Sequence, residues 1–373
     1  MKRLGKVIIY LILAINLLFA GLLLLAAYSP HLRPTAHPIL SCFGMAFPIF
    51  LLIDAGFLIF WLLIRRFKTA LLPLITILLC WSQVSTYLPI NSHTDKLPEG
   101  CIKLLSYNIM AFDGAAKKEG ENPILNYLKE SGADIMCLQE YFTRKNPAGL
   151  TQEDVAHALA AYPYHDIQPI GSVKGYSNRI ACYSKYPILS SKRVAFESQY
   201  NGAVIYELLI DNDTVMLINN HLESNRLTKD DKVVYENLLN LPEQMRIPDK
   251  EEVKSGARLL INKLAEASTI RAQQVDTLAR KIADSTRSYI ISCGDFNDTP
   301  ISYTLHTLTG HLKDAFGQSG RGLGISFNQN KFYFRIDHIL VSRNWKTYNC
   351  TVDNSIKESD HYPIWCYLKK EKK

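Results

Sequence analysis

Three long apolar stretches fill most of the first ninety residues, at roughly residues 7–28, 40–64 and 70–90 of a 373-residue chain. Each is long enough to cross a hydrocarbon core of about 30 Å as one helix, so residues 1–90 are predicted to be a membrane anchor of three transmembrane helices. The first is longer than the core of a secretory leader and has no clear small-residue cleavage site, and it reads as a retained span. Lys2, Arg3 and Lys6 precede it, and Arg65, Arg66 and Lys68 separate the second stretch from the third, whereas the first loop holds only Arg33. Cytoplasmic loops collect Lys and Arg. The N-terminus is therefore expected inside and the rest of the chain on the periplasmic or extracytoplasmic side; one span more or fewer reverses that expectation. Asp54, mid-span, is costly there unless neutral or paired. It is expected to pack as a neutral acid against another span, near Gln83.

The net charge of +7 suggests a polyanion partner until it is divided along the chain. Residues 1–98 hold eight Lys or Arg against two Asp or Glu, which leaves 34 against 33 for residues 99–373. The excess belongs to the anchor. Composition gives the remainder no basic face of the kind that counterion release from nucleic acid requires. Of eight cysteines, Cys42 and Cys80 lie in the apolar stretches. Cys101, Cys137, Cys182, Cys293, Cys350 and Cys366 lie in or beside strand-like runs. A thiol there behaves as a small buried hydrophobe, and no C-x-x-C spacing marks a metal site. An oxidising compartment permits disulfides, Cys350 with Cys366 being one pairing.

Residues 91–100 form a polar linker, and ten residues reach at most about 33–36 Å, so the domain predicted over 101–373 stays close to the bilayer. Short runs rich in Ile, Val, Leu, Tyr and Cys, bounded by turn residues, predict strands at 102–109, 134–138, 179–184, 203–210, 214–219, 288–293, 336–341 and 362–368. Asn122 before Pro123 signals a helix start, with Ile124, Leu125 and Leu128 on one face and Gly132 beyond its end. A longer helix is expected from about 255 to 284. The polar stretch 224–254 reads as a surface excursion, a lid or substrate-facing element. Strands are too many and too close for simple βαβ alternation, and two packed sheets with outer helices follow.

Polar residues recur at the ends of these strands. Asn108 ends the first and Glu140 follows the second. Asn219 and His221 close a third, Asp295 and Asn297 follow a fourth, Asp337 and His338 open a fifth, and Asp360 and His361 precede the last. Singly, each has a bland reading: Asn108 a turn residue, Glu140 a solvated strand end, Asp295 with Asn297 an Asx-type turn. Jointly they supply hard oxygen donors for a divalent cation and an imidazole to activate water. Next to Asp337 on a strand, His338 points to the opposite face and reads as structural. His157, His165, His306 and His311 fit no such pattern.

This ordered set, from Asn108 through Leu138-Gln139-Glu140, Asn219-Asn220-His221, Gly294-Asp295-Phe296-Asn297 and Arg335-Ile336-Asp337 to Ser359-Asp360-His361, resembles the endonuclease/exonuclease/phosphatase superfamily. Deoxyribonuclease I, abasic-site endonucleases, inositol-polyphosphate 5-phosphatases and neutral sphingomyelinases belong to it. The resemblance covers about residues 101–368 and implies a four-layered α/β sandwich of two mixed sheets with outer helices. It implies Mg²⁺, with Mn²⁺ as the alternative, held by Glu140 with Asn108 assisting and Asp360 nearby. It implies His361 as general base oriented by Asp337, Asp295 and Asn297 positioning water and phosphate, and His221 with Asn219 donating to the phosphate.

The chain departs from deoxyribonuclease-like members at Asn178, near the place of a glutamate that supports their phosphate-binding histidine. It also lacks the longer inositol-phosphatase signature around Asp337. The resemblance implies a membrane-anchored, metal-dependent hydrolase of phosphodiesters or phosphomonoesters, acting on nucleic acid, a lipid head group or a small molecule. A binding or signalling module that kept the fold is the alternative. No protein partner is implied.

Overall fold

The computed structural model describes residues 2–115, 122–146, 148–173, 176–196, 198–225, 250–329 and 332–371. The stretch 224–254 therefore lies largely outside the described residues. In the anchor, two helices are long and apolar enough to cross a membrane, Leu4–His31 and Pro38–Leu63. Where a third straight span was expected, Phe67–Leu79 and Trp81–Tyr87 meet at a 61° bend. Thirteen residues of helix rise only about 20 Å, short of the roughly 30 Å core. The pair makes a third span only if both halves count as one, so the expected sidedness does not follow from the helices alone. Asp54 is buried, and its partner is Asn16, not Gln83: Asn16 Nδ2 donates to Asp54 Oδ1 at 3.0 Å, while Trp61 Nε1 donates to Asn16 Oδ1 at 3.0 Å.

Fourteen strands follow among the described residues: β1 Ile102–Asn108, β2 Ile135–Gln139, β3 Tyr164–Val173, β4 Tyr176–Ser184, β5 Ile188–Val194, β6 Gly202–Ile210 and β7 Asp213–His221 in the first half. β8 Tyr289–Asp295, β9 Lys313–Asp314, β10 Phe327–Gln329, β11 Phe332–Phe334, β12 Asp337–Val341, β13 Trp345–Val352 and β14 Ile364–Lys370 complete them. They form two six-stranded sheets, ordered β13-β14-β1-β2-β4-β3 and β5-β6-β7-β8-β12-β9, plus the hairpin β10-β11. Both large sheets are mixed. β1 and β2 run parallel, as do β7 and β8, and the other pairings are antiparallel.

Alternation assigns the layers. Leu104, Ile135, Cys137, Leu217, Ile291, Cys293 and Ile339 face inward and form the core between the sheets. Leu105, Met136 and Leu138 face outward, under the helices Pro123–Glu130 and Gln152–Ala158. Met216, Ile218 and Ile290 face outward on the other sheet, under the long helix Lys250–Ala283 and the helix Tyr303–Thr309. The result is a four-layered α/β sandwich. Burying each such aliphatic side chain contributes roughly 1.5–3 kcal/mol, and this sets the sheet spacing on which the polar rim depends. Asn122 caps its helix, its side chain accepting from Leu125 N at 3.1 Å. All eight cysteines are free, Cys350 and Cys366 included, so that pairing is not formed.

The anchor packs directly on the sandwich. Ile301 shares one apolar cluster with Leu23, Ala26, Ala27, Phe47 and Cys80. Arg33 pairs with Asp276 at 2.6 Å, and the buried Arg335 donates to Thr86 O at 2.6 Å. The linker is pinned as well: Asn91 Nδ2 donates to Gly320 O at 2.8 Å, and Asn349 Nδ2 to Thr94 O at 2.9 Å.

Replacing Asn16 with Leu leaves Asp54 and Trp61 Nε1 buried without their partner. The expected loss is about 1–2 kcal/mol, read as a lower thermal unfolding midpoint in detergent. Asp54→Asn keeps the acceptor and is expected to cost less.

Candidate active site

The inward parity that buries Leu104 and Cys137 carries on to Asn108 and Gln139 at the ends of β1 and β2, which lie opposite each other in register. In the other sheet the same parity brings His221 of β7 opposite Asp295 of β8, and Asp337 of β12 opposite Asp295 from the far side. Because both parallel pairs end at one rim, their last polar side chains face each other across the gap. The chain then turns sharply. Glu140 adopts φ 53° and Asn297 φ 52°, left-handed conformations that cost energy away from glycine. Gly294 has φ 136°, and a Cβ there would lie 2.0 Å from the Asn220 carbonyl oxygen. Glycine is what lets β8 run this close to β7.

Asn108 Nδ2 donates to Glu140 Oε1 at 3.3 Å and across the gap to Asp295 Oδ2 at 3.2 Å. His361 Nδ1 donates to Asp337 Oδ2 at 2.8 Å, which leaves Nε2 3.6 Å from Asp295 Oδ2. His221 Nε2 lies 3.7 Å from both Glu140 Oε1 and Asp295 Oδ2. Glu140, His221, Asp295 and His361, with Asn297 and Asp360, line one cavity of about 170 Å³. Burial pushes Asp295 up to about 6, with Asp337 adding to the rise. Burial also raises Glu140, helped by the negative charge of Asp360. Burial pulls the His361 imidazole down, but Asp337 and Asp295 outweigh it and hold it well above its ordinary value. His221 has the opposite balance, burial depressing it despite Asp295.

Of the residues singled out in sequence, Glu140, His221, Asp295, Asn297, Asp360 and His361 line the cavity, and Asp337 reaches it through His361. Asn219 does not. Its Oδ1 accepts from Gln139 Nε2 at 2.7 Å and its Nδ2 donates to Ala181 O at 3.0 Å, so it bridges the sheets beneath His221. Asn108 presents its amide nitrogen, not its oxygen, to the carboxylates, because Met110 N donates to its Oδ1 at 3.2 Å. In this arrangement its oxygen is turned to the backbone. Among the described residues, Asp295, Asp337 and His361 bring donor atoms within 4.8 Å of one another. Asp337 is already engaged by the imidazole, which leaves Glu140, Asp295 and Asp360 as the sequence-predicted carboxylates that line the cavity.

Asn178 takes a defined role: its Nδ2 donates to His221 Nδ1 at 3.1 Å, placing the ring proton on Nε2, toward the cavity. His338 Nε2 donates to the Asp298 carbonyl at 3.0 Å on the outward face, a structural contact. The sequence reading missed Asp298, which lines the cavity while accepting from Thr304 Oγ1 at 2.7 Å and from Arg271 Nε at 3.4 Å. It also missed the apolar wall of Phe327, Phe332, Phe334 and Met45. Arg271, projecting from the long helix, breaks that helix's apolar periodicity and was the available signal for the Asp298 contact. Nothing local marks Met45.

The sandwich and its carboxylate–imidazole rim define a fold class, and the sequence match agrees. Residues 105–361 match the Endonuclease/Exonuclease/phosphatase family, and the chain belongs to that family. Its members are hydrolases of phosphoester bonds. Residues 9–87 match a domain of unknown function. No curated protein matches the chain in sequence. Among solved structures, an endonuclease/exonuclease/phosphatase from Beutenbergia cavernae DSM 12333 is 15% identical, covers 73% of this chain and 72% of its own, and has a TM-score of 0.50. The human Nocturnin catalytic domain with bound sulfate anion is 16% identical over 76% of this chain and 98% of its own, with a TM-score of 0.49. D. rerio TDP2 complexed with single strand DNA product is 17% identical over 73% and 100%, with a TM-score of 0.48.

Gly294→Ala forces a Cβ into the Asn220 backbone at a φ that alanine avoids. It is expected to destabilise the protein by about 2 kcal/mol or more, measured as a lower thermal unfolding midpoint.

Proposed function

We propose that the protein is a membrane-anchored, metal-dependent phosphoesterase that hydrolyses a phosphodiester or phosphomonoester by attack of a water activated by His361. The organisation proposed is an anchor over 1–90, a linker over 91–100 and a catalytic domain over 101–373, outside the cytoplasm. The observation that carries the activity is the line Asp337–His361–Asp295 opening into the cavity that Glu140 and His221 also line.

The donor set suits a hard cation, Mg²⁺ or Mn²⁺, because carboxylates dominate it and no thiolate is present in the cavity. Glu140 and Asp295, both raised by burial among other carboxylates, are the groups whose charge a divalent cation would relieve. Glu140 with Asp360 and Asp295 would hold it, and Asn108 would steady Glu140 and Asp295 by its amide. When bound, the ion supplies positive charge for the phosphoryl oxygens.

In its neutral form, with Nε2 free of its proton, His361 takes the proton from water at Nε2. Its Nδ1–H is fixed on Asp337, which sets the tautomer and stabilises the imidazolium that forms. Asp295 Oδ2, close to Nε2, orients the water on its second hydrogen. His221, kept neutral by burial and by an amide partner, directs Nε2–H into the cavity and donates to a phosphoryl oxygen as negative charge grows. Asn297 holds the loop behind Asp295, its backbone N donating to Asp295 Oδ1 at 2.8 Å and its Nδ2 to Leu222 O at 3.0 Å.

A screen of the full chain over DNA, RNA, phosphodiesters and phosphomonoesters is expected to find hydrolysis that EDTA abolishes and Mg²⁺ or Mn²⁺ restores. His361→Ala is expected to lower kcat about 10²–10⁴-fold, and Glu140→Ala to lower turnover and weaken metal activation together. Turnover that survives both substitutions would remove the reading, and a cellular phenotype that survives them without turnover would favour the binding module.

A further inference from the structure

Met45 belongs to the anchor by sequence, in the tight turn Cys42–Ala46 at the end of the candidate span Pro38–Leu63 that meets the sandwich. In space it lines the active-site cavity together with Glu140, Asp295 and His361. Its position is fixed by close packing. A Cβ on Gly44 would lie 1.8 Å from the Ile301 carbonyl oxygen, so the turn rests on the loop that follows Asp298 and Thr299, two further lining residues. Ile301 itself is buried in the anchor's own apolar cluster. Arg335, two residues before Asp337, donates to the carbonyl of Thr86 in the anchor. The anchor thus meets the site's framework on two sides, and the cavity has no complete wall without it.

The lining combines two kinds of chemistry. Beside Glu140, His221, Asp295, Asp360 and His361 the lining carries Met45, Phe327, Phe332 and Phe334, with Phe327 edge-on to the His361 ring at 5.1 Å between centroids. Phenyl rings can also stack nucleobases, but Met45 comes from a candidate membrane span, which sets this apolar lining beside the bilayer. We propose that Met45 is a specificity-determining residue of this site, and that the substrate is an amphiphilic phosphoester whose apolar substituent lies along Met45 and the phenylalanines, reached at the membrane surface. The cavity of about 170 Å³ is smaller than the roughly 300–1,000 Å³ usual for ligand sites. It accommodates the phosphoryl group with its immediate neighbours and leaves a longer chain to follow the apolar wall outward.

This inference rests on the phosphoesterase reading and is tested with two diesters that differ only in the alkyl group, hexadecyl p-nitrophenyl phosphate and ethyl p-nitrophenyl phosphate. In each, water oxygen bonds to phosphorus as the bond to p-nitrophenolate breaks, and one water proton passes to His361. The full chain in phosphatidylcholine vesicles with Mg²⁺ is expected to prefer the hexadecyl ester. Met45→Asp is expected to lower the ratio of kcat/KM for hexadecyl over ethyl about tenfold, through KM, while Met45→Leu holds the ratio within about twofold. Because the ratio is internal to each variant, a reduced folded fraction cancels. An unchanged ratio in Met45→Asp overturns the inference, as does faster cleavage of single-stranded oligodeoxythymidine than of either ester. Hydrolysis of neither ester by a wild-type chain that turns over another phosphoester also overturns the inference, whereas absence of turnover on every phosphoester in the screen overturns the phosphoesterase reading itself.

Discussion

Amide bridges across the gap between the sheets hold the rim on which the site stands. Asn108 Nδ2 joins β1 to Asp295 of β8, and Gln139 Nε2 joins β2 to Asn219 of β7. Sheets packed face to face lie about 10 Å apart, too far for carboxylates on opposite faces to share one ion or one water. The amides, reaching inward from both sheets where the apolar core ends, close that distance. Each bond is buried, so removing either partner would leave a polar group without water or protein to satisfy it. The apolar layer and the amide bridges depend on each other. Burial fixes the spacing, and the bridges fix which side chains meet at the edge.

The same rim sets two imidazoles to opposite tasks. His361 faces Asp337 and Asp295, and their negative charge outweighs its burial and favours the protonated ring. His221 is as deeply buried, but its Nδ1 meets the Asn178 amide, and burial prevails. A carboxylate at position 178 would have moved His221 toward its neighbour's behaviour. An amide keeps it a neutral donor. Pairs of titratable groups whose surroundings push them apart are how a site separates proton acceptor from proton donor. Here the two rings differ in the partner of Nδ1, Asp337 for His361 and the Asn178 amide for His221.

The anchor's contact with the sandwich is mixed in character. Ile301 supplies apolar burial, and Arg335 and Arg33 supply charge-assisted hydrogen bonds to Thr86 and Asp276. The guanidinium of Arg335 also stacks over the Phe316 ring, 4.3 Å from its centroid. An arginine this buried needs its donors occupied, and one of its acceptors is an anchor carbonyl. The contact therefore links two parts of the chain that differ sharply in charge and hydropathy.

Sequence alone determined the strand-end pattern, because alternation and turn residues are local signals. Asn108, Glu140, His221, Asp295, Asp337 and His361 could be named from their places at the ends of apolar runs. It also determined the helix beginning after Asn122 and the apolar character of the first ninety residues. The edge strands β3, β5 and β13 were not legible, since Pro169, Gly171 and the polar run Ser190–Arg193 carry no inward alternation. The tertiary structure alone decided that Asn219 bridges sheets, that Asn108 turns its nitrogen to the carboxylates, and that the third apolar stretch bends. Each of those outcomes depends on a partner far away in the chain, or on how a neighbouring element occupies space. Met45 is the clearest instance: its own surroundings in sequence are those of a membrane helix, and only the close approach of its neighbour Gly44 to Ile301 brings it to the cavity.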